Sequence, residues 1–442
     1  LGEEKGNSLD GFSNGAITKG KPVVMQADGD VAQVQENTGS TASPLTPLQI
    51  NSITNTYALN TTYEPTSQKF VVGTRDSQNN AYPTLTAGTY NSADGTIAWG
   101  TDVVANSANS DDAPVLASGN GRICVVYITG SSGNSRCTLR TATINADNTF
   151  TGLSSASAEF SSSSSGSYSG IVKCAYDTSS NYLITAYTNA SDGSGTYFVQ
   201  PVHINGTTYT VGTATTLFSG RPKGRESDIV FDPDTNRTIL AYRDYSNSSY
   251  TTSKVIQSTG SSGSPTLSVG SDVIVDNGSG ALSINYDTTE NKVFLAYQNE
   301  TTARFNGTIG TVNAGSNSIS FTTPALIYTY SVLNENANTV YDGINNKLYF
   351  LYRDTDNSNY LTYIVITSGA TSFSTGSPIV LATTDFGIDN GFGSFGAGKG
   401  VLFTLYNNSD NAKGFYTTFN NNAVTNLTTE NYLGLASDTV AN

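Results

Sequence analysis

The chain has 442 residues, a formal net charge of −14 and a sequence pI of about 4.4. So acidic a chain lacks the clustered Lys and Arg that displace counterions from a phosphate backbone, which excludes nucleic acid as an expected partner. No apolar run approaches the roughly 18 residues that a membrane-spanning helix needs. Charged residues are only 13%, and the 43 glycines and 26 tyrosines are typical of short strands and many turns.

The first predicted element is a β-hairpin near the N terminus. Two strand-like runs, Val23 to Met25 and Val31 to Val34, are joined by Asp28-Gly29-Asp30. Asp-Gly between two such runs is a strong hairpin signal. The Gly-, Ser-, Thr- and Pro-rich stretch from Glu36 to Gln49 is predicted to be a linker. These segments form an N-terminal arm over residues 1–50.

A repeat with a period of about 55 residues follows and occupies most of the chain. Each good copy has an aromatic residue, a turn containing Asp or Asn, and an apolar run that ends in Tyr. The copies close at Tyr187, Tyr242, Tyr297 and Tyr352, each 55 residues after the last. Weaker copies place the equivalent positions at Thr74, Tyr127 and Tyr406. Seven units result.

Each unit is predicted to contain two strands joined by a tight turn and then two more polar strands. Apolar runs such as Leu348 to Tyr352, LYFLY, do not alternate with polar residues, so both faces of that strand are expected to be covered. Four-stranded units of this period are typical of radial blades. The sequence therefore predicts an all-β seven-bladed β-propeller over residues 51–432, with a C-terminal strand in residues 433–442.

The two ends are the candidates for closing the propeller, because an open ring leaves two strand edges unpaired. Either the N-terminal hairpin and the C-terminal strand contribute to one blade, or they form a small separate β module with the propeller between its halves. Cys124 and Cys137 flank a turn-rich segment. They either face each other as a disulfide or, with Cys174, are three buried thiols.

Catalytic and metal-binding patterns are weak throughout the sequence. His203 is the only histidine, which leaves no His/Cys cluster for zinc and a single residue for any histidine-dependent triad. The Asp-rich turns at Asp232 to Asp234 and Asp354 to Asp356 offer too few oxygens for calcium and are predicted to be Asx turns. We therefore predict no enzyme, no metal site and no cofactor.

Three Arg-Asp pairs recur at the same position of the repeat, in blades one, four and six. They are Arg75-Asp76, Arg243-Asp244 and Arg353-Asp354. Equivalent positions share a propeller face, so the pattern predicts that three guanidinium groups converge near the axis to hold an acidic sugar or carboxylate. The alternative is that each arginine is paired within its own blade or to the next. The cluster resembles that of sialidases, although the SxDxGxTW boxes of sialidase blades are absent.

The chain ends carry two short motifs. GAITKGKPVVMQADGDVAQV near the start fits a KGxPVxxxxDGxVxxV hairpin, and ENYLGLASDTVAN at the end is similar to NFIGIAxxAxANG. Both resemble a pattern in tail-fibre and in capsid-fibre or decoration proteins of tailed bacteriophages, particularly marine ones. The resemblance implies a structural, multicopy component on the virion surface. Its partners would be other virion proteins, and it carries no catalytic residues over.

The expected function is therefore a phage fibre, tail or capsid appendage that engages a host surface glycan or receptor. An alternative of another class is a secreted or cell-surface lectin-like propeller with a shallow pocket between successive blades. A recurring aromatic in the blade loops would favour this alternative, and the loops after the AYxD positions are not expected to recur. A sialidase-like glycosidase would need the arginine cluster beside a Glu and a Tyr in one axial cleft.

Overall fold

The computed structural model describes residues 22–25, 31–33, 44–51, 59–110, 113–129, 136–153, 158–159, 172–189, 195–220, 226–277, 280–299, 301–328, 337–384, 386–387, 393–396, 400–407, 414–419 and 432–435. The chain divides into two compact units. One is Ser43–Asn421, and the other combines Leu1–Ala42 with Asn422–Asn442.

The described residues are almost entirely β-structure. Before the first blade lie β1 (Pro22–Met25), β2 (Val31–Gln33) and β3 (Leu48–Gln49). Blades 1 to 3 contain β4 (Leu59–Glu64), β5 (Lys69–Asp76), β6 (Tyr82–Tyr90), β7 (Ile97–Trp99), β8 (Val103–Val104), β9 (Val115–Gly119), β10 (Arg122–Thr129), β11 (Arg136–Ile144), β12 (Phe150–Thr151), β13 (Ala158–Glu159), β14 (Val172–Asp177), β15 (Tyr182–Asn189), β16 (Thr196–Asn205), β17 (Thr208–Val211) and β18 (Thr215–Ser219).

Blades 4 to 6 contain β19 (Ser227–Asp232), β20 (Arg237–Asp244), β21 (Tyr250–Ser261), β22 (Ser264–Val269), β23 (Val273–Asp276), β24 (Leu282–Asp287), β25 (Lys292–Asn299), β26 (Arg304–Asn313), β27 (Ser318–Phe321), β28 (Ala325–Tyr328), β29 (Ala337–Asp342), β30 (Lys347–Asp354), β31 (Tyr360–Ser368), β32 (Phe373–Thr375) and β33 (Ile379–Ala382). A 3-10 turn, Thr355–Asn357, follows β30. Blade 7 contains β34 (Phe386–Gly387), β35 (Gly393–Gly396), β36 (Gly400–Asn407) and β37 (Gly414–Phe419), and the last strand is β38 (Tyr432–Leu435).

The predicted seven-bladed β-propeller is confirmed within the described residues. In blade 4 the antiparallel order from the axis outward is β19-β20-β21-β22, and the other blades repeat this pattern. The innermost strands β4, β9, β14, β19, β24, β29 and β35 contact one another in a closed ring. The outer strand of blades 1 to 6 is interrupted; in blade 4, β22 and β23 both pair with β21 and are separated by residues 270–272.

The hydrophobic core lies between the blades. Leu348, Tyr349, Phe350, Leu351 and Tyr352 are each at most 1% exposed, so both faces of this strand are covered, as its non-alternating pattern predicts. One face belongs to a cluster shared with Phe294 of blade 5. Second strands are therefore apolar throughout because each is packed between two neighbouring sheets.

The predicted Asx turns are confirmed at the ends of the innermost strands. Asp232 Oδ1 accepts the backbone N–H of Asp234 at 2.9 Å and of Thr235 at 3.2 Å. Asp287 accepts equivalent bonds in blade 5. The prediction for Asp354 to Asp356 is wrong, because the 3-10 turn that begins there has no side-chain cap.

The ring is closed by a segment that was predicted to be a linker. Strand β3 pairs with β37 as the outer strand of blade 7, with Leu48 opposite Tyr416. The backbone N–H of Ile50 donates to the carbonyl of Gly414 at 2.9 Å, and its side chain is fully buried. An outer strand packs one face only, so a short polar segment with a few apolar anchors is sufficient, and such a segment resembles a loop in sequence.

The chain ends form a separate sheet, which is the second of the two arrangements expected. The central strand β1 pairs with β2 and with β38, and Val23 lies opposite Gln33 on one side and Gly434 on the other. The expected boundaries of the propeller at 51 and 432 therefore move to 43 and 421. They differ because Leu48–Gln49 belongs to a blade and Tyr432–Leu435 does not.

The three cysteines are buried free thiols, so the disulfide alternative is wrong. Cys124 and Cys137 do lie on the two strands of one hairpin, β10 and β11. In its register Cys124 is opposite Thr141, and Cys137 is opposite Ile128. This register places each cysteine four positions away from the residue opposite the other, so the two sulfurs are displaced along the ladder.

Candidate functional site: the axial channel and the arginine turns

The innermost strands enclose a narrow polar channel at the propeller axis, with a volume of about 160 Å³. All seven blades contribute to its wall, through Asn60 and Thr61, Val115 and Leu116, Lys173 and Cys174, Asp228 and Ile229, Ser283, Ile284 and Asn285, Asn338 and Thr339, and Gly393. A water molecule occupies about 30 Å³ of liquid, so the channel has room for a few waters or a small ion.

Lys173 and Asp228 are the charged residues among those that line the channel. The Lys173 Nζ atom lies 3.9 Å from Asp228 Oδ1, and Asp228 Oδ2 accepts the backbone N–H of Ile284 at 3.0 Å. Burial raises the pKa of the Asp228 carboxyl group above its ordinary value, and the neighbouring Lys173 opposes this shift. Because the two charges have opposite sign, the channel wall presents no net charge to a ligand.

The uncharged side chains of the channel join neighbouring blades. Thr61 Oγ1 and Ser394 Oγ lie 3.2 Å apart, between blades 1 and 7. Asn285 Nδ2 donates to the carbonyl of Thr339 at 2.9 Å, between blades 5 and 6. These polar groups are therefore already engaged with one another, and the channel is primarily a seam between blades.

The predicted arginines lie away from this channel. Arg75, Arg243 and Arg353 each precede the last residue of the second strand of their blade, on β5, β20 and β30. None of them is among the described residues that line the channel. Arg75 lines a different pocket and Arg243 is paired with Glu226, so the convergence of the three guanidinium groups on one ligand stays a prediction.

The three aspartates that follow these arginines have structural partners. Asp76 Oδ1 accepts the backbone N–H of Gln78 at 3.0 Å, and Asp244 Oδ1 accepts the backbone N–H of Ser246 at 2.9 Å. Asp354 Oδ2 accepts the Tyr328 hydroxyl at 3.2 Å. A ligand-binding role of the six residues stays a prediction.

The turns after the three pairs share a longer motif that sequence reasoning missed. The segments RDSQNNAYPT, RDYSNSSYTT and RDTDNSNYLT, starting at Arg75, Arg243 and Arg353, all fit R-D-x-x-N-x-x-Y-x-T. The two residues before each Tyr are in the left-handed region, with φ of 52° and 57° (Asn80, Ala81), 54° and 60° (Ser248, Ser249) and 56° and 62° (Ser358, Asn359). The expectation that these loops do not recur is therefore corrected.

Backbone hydrogen bonds hold the turns of blades 1 and 4 in the same conformation. In blade 1 the Asn79 N–H donates to the Asp76 carbonyl at 3.1 Å, and the Tyr82 N–H donates to the Asn79 carbonyl at 3.0 Å. The turn of blade 4 makes the same two bonds through Asn247. Asn, Ser and Ala occupy the left-handed positions where Gly would be the usual signal, which hid the shared backbone from composition-based reasoning.

The arginine of blade 4 is neutralised by its surroundings. Arg243 Nη1 lies 3.1 Å from Glu226 Oε1, and the two side chains are 11% and 1% exposed. The guanidinium carbon lies 4.7 Å from the ring centroid of Tyr245, whose hydroxyl donates to the same carboxylate at 3.0 Å. These three side chains form a closed cluster of an ion pair and a cation–π contact.

The arginine of blade 1 has different surroundings. Its Nε donates to the Ser110 carbonyl at 2.7 Å, and its Nη1 donates to Ser77 Oγ at 3.3 Å, both uncharged acceptors. Arg75 also lines a shallow pocket of about 500 Å³ together with Ser77, Asn80, Ala81, Tyr82, Ser107 and Asn109. Arg75 is the charged member of this set.

The single histidine of the chain lies packed against an aromatic ring. His203 packs edge-on against Tyr182, with ring centroids 5.5 Å apart. The described part of the chain contains no group of three or more side chains placed to hold a metal ion. It also contains no helix of the length and apolarity needed to cross a membrane.

No known protein family matches the chain, and no curated protein matches it. Solved structures share the fold at low identity. A 6-phosphogluconolactonase-like protein from Bacteroides uniformis is 14% identical, with a TM-score of 0.49, over 83% of this chain and 97% of that one. A selenium-binding protein from Sulfolobus tokodaii is 5% identical, with a TM-score of 0.47, over 74% of this chain and 81% of that one.

A third solved structure is a prolyl endopeptidase, 12% identical with a TM-score of 0.44, over 89% of this chain and 53% of that one. Two of the three names are those of enzymes. At these identities the likeness is one of fold, and functions differ widely among proteins that share a fold.

Proposed function

We propose that this chain is a non-catalytic surface protein of a virus particle, a phage fibre, tail or capsid appendage, attached through its two ends. The observation that carries the proposal is the pairing of β1 with β38 in one sheet. The two end motifs that resemble phage fibre and decoration proteins lie on these strands and on β2. Residues more than 400 positions apart in sequence, such as Pro22 and Leu435, thus pair in one small sheet.

This arrangement suits a protein that is attached at one point and exposes a large domain elsewhere. The propeller lies in the chain between the two halves of the end sheet, so attachment through that sheet holds both ends of the propeller segment. On this proposal the partners are other virion proteins in a multicopy assembly, and the location is extracellular, on the virion surface.

Particle composition tests this proposal. Quantitative mass spectrometry and cryo-EM of purified particles should find the chain at a copy number compatible with the particle symmetry. Val24→Pro removes a backbone donor from the central strand of the end sheet and should prevent incorporation. Val24→Thr keeps the donor and is the matched control. A chain that is found only free or bound to cell walls would overturn the proposal.

A second candidate function is carbohydrate binding by the propeller itself, with or without a virion. It is favoured by the three R-D-x-x-N-x-x-Y-x-T turns, which repeat a half-buried Tyr at Tyr82, Tyr250 and Tyr360. Tyr and Asn supply flat amphipathic area and adaptable hydrogen bonds, which suit saccharide contact. A glycan array probed with the purified full chain tests it, and a uniformly negative array would exclude it.

A further inference from the structure

We propose that the pocket beside Arg75 binds the carboxylate of an acidic sugar. The inference names a ligand class for the glycan-binding part of the proposed function and rests on it to that extent. Arg75 and Arg243 occupy the same position of the repeat but have different surroundings, and Arg75 lines the pocket.

The surroundings of Arg75 do not neutralise its charge in the way that those of Arg243 do. In blade 4, Glu226 and the ring of Tyr245 neutralise the guanidinium group. Ser77 stands in blade 1 at the position of Tyr245, and Ala58 stands in the sequence at the position of Glu226. Among the described residues, Arg75 donates to a carbonyl and to a hydroxyl oxygen, which are both uncharged. The aromatic ring of Tyr245 therefore has no counterpart in blade 1, and none of the ion pairs among the described residues includes Arg75.

The guanidinium group of Arg75 has N–H donors beyond those that bind Ser110 and Ser77. An arginine has five N–H donors in a planar fork, and Arg75 uses one on Ser110 and one on Ser77. The others belong to a side chain that is half-buried and lines the pocket. A carboxylate is the natural acceptor for such a fork, because two parallel charge-assisted bonds match its geometry.

The pocket is preorganised by hydrogen bonds through Ser110. The Ser110 N–H donates to the Ala81 carbonyl at 2.9 Å, and the Ser110 carbonyl accepts from Arg75 at 2.7 Å. Ser110 is fully buried and bridges to Thr129 of blade 2. The turn, the arginine and the connection to blade 2 are therefore fixed to one another before a ligand binds, which lowers the entropic cost of binding.

The rest of the pocket wall consists mostly of polar side chains. Asn80 and Asn109 are exposed, Tyr82 is half-buried, and both kinds of side chain offer hydrogen bonds or an aromatic edge to hydroxyl groups. A volume of about 500 Å³ accommodates one sugar ring with room to spare. A ligand with one carboxylate and several hydroxyls fits this wall better than a phosphate, which would favour several cations.

Titration of the purified full chain tests the inference, with methyl β-glucuronide and N-acetylneuraminic acid as probes and methyl β-glucoside as the uncharged control. We expect millimolar affinity for at least one acidic probe and at least tenfold weaker binding of the glucoside. Arg75→Gln should weaken acid binding at least tenfold. Ser77→Glu leaves the arginine in place and supplies a competing carboxylate, so it should have a similar effect.

The matched control is Ser246→Glu, which places a carboxylate at an exposed position of the blade 4 turn and should leave binding unchanged. The thermal midpoint of each variant is measured first, and Ser77→Glu serves if Arg75→Gln fails to fold. Failure of both acids to bind, equal binding of the glucoside, or unaltered binding by the folded variants would overturn the inference. The particle assay is independent, so the chain can be present in virions and still fail this test.

Discussion

Blades 1 and 4 have the same backbone at the turn between their second and third strands and different chemistry around its arginine. In blade 4 the guanidinium group of Arg243 is enclosed by Glu226 and Tyr245. In blade 1 that of Arg75 contacts uncharged oxygens and lines a pocket. The repeat thus determines where the arginine lies, and two neighbouring positions decide whether it is a structural group or one available to a ligand.

The largest difference in stability between the two blades should follow from removing the Glu226 carboxylate of blade 4. Glu226→Ala leaves the buried charge of Arg243 without its counter-ion, and we expect a loss of about 3 kcal/mol in the free energy of unfolding. Ser77→Ala in blade 1 should change it by less than about 0.5 kcal/mol. Chemical denaturation checks both, and similar losses would mean that the two arginines have equivalent roles.

A smaller difference is expected for the aspartates of the two turns. Asp244 is buried and accepts both the backbone N–H and the hydroxyl of Ser246, so Asp244→Ala should cost about 2 kcal/mol. Asp76 is half-buried and accepts one N–H, that of Gln78, so Asp76→Ala should cost about 1 kcal/mol. The midpoints of urea unfolding of the two variants measure this order, which the reverse ranking would contradict.

The innermost strands of the same two blades differ at one position, where blade 1 has Asn60 and blade 4 has Asp228. Each accepts a backbone N–H of the next blade, from Leu116 and Ile284 respectively. Because burial raises the pKa of Asp228, the folded state binds its proton more tightly than the unfolded state. That contribution to stability is present at low pH and is lost as the pH rises from the ordinary value of 3.8 through the raised pKa.

Asp228→Asn should therefore gain stability relative to the original chain as the pH rises through that window. The variant retains an amide oxygen to accept the Ile284 N–H. Thermal unfolding of both proteins, measured between pH 3 and pH 7, tests this. The variant also removes the partner of Lys173, so the two proteins are compared by how their thermal midpoints change with pH and not by their midpoints at one pH. Parallel curves for the two proteins would contradict the assignment.

The smallest effect on stability is expected at a turn position where blades 1 and 4 have the same backbone conformation. Ala81 and Ser249 occupy the same left-handed position, with φ of 57° and 60°. Replacement by Gly relieves a conformation that costs other residues about 1 kcal/mol, and it restores a similar amount of freedom to the unfolded chain. Both variants should remain within about 0.5 kcal/mol of the original, and a large loss in one blade alone would show that the turns differ in packing.

Much of the fold could be read from the sequence because the repeat is explicit. The runs ending at Tyr187, Tyr242, Tyr297 and Tyr352 predict buried second strands, and each of these tyrosines is at most 4% exposed. The Asp that opens the preceding turn was recognised because its side chain accepts the backbone N–H two residues later, which is an interaction between close sequence positions. Periodicity and local hydrogen bonding depend on residues close together in sequence, so they can be predicted without knowing the distant contacts.

The candidate site could be predicted only in part. The sequence identified Arg75, Arg243 and Arg353 as equivalent, but equivalence led to the expectation of a common axial site. It also hid the shared turn, because residues such as Ala81 and Ser249 do not signal a left-handed backbone. Whether an arginine is neutralised depends on residues such as Glu226 and Ser110, which lie 17 and 35 positions away from their partners.

The sequence by itself determined the seven repeated units, their buried strands and the chemistry of most of their tight turns, because these depend on local pattern and bonding. The tertiary structure alone decided that Leu48–Gln49 closes blade 7 and that the chain ends share a sheet. It also decided that Arg75 lines a pocket and that Arg243 is paired with Glu226. Strand pairing and charge neutralisation between distant segments depend on which surfaces meet, and no short stretch of sequence records that.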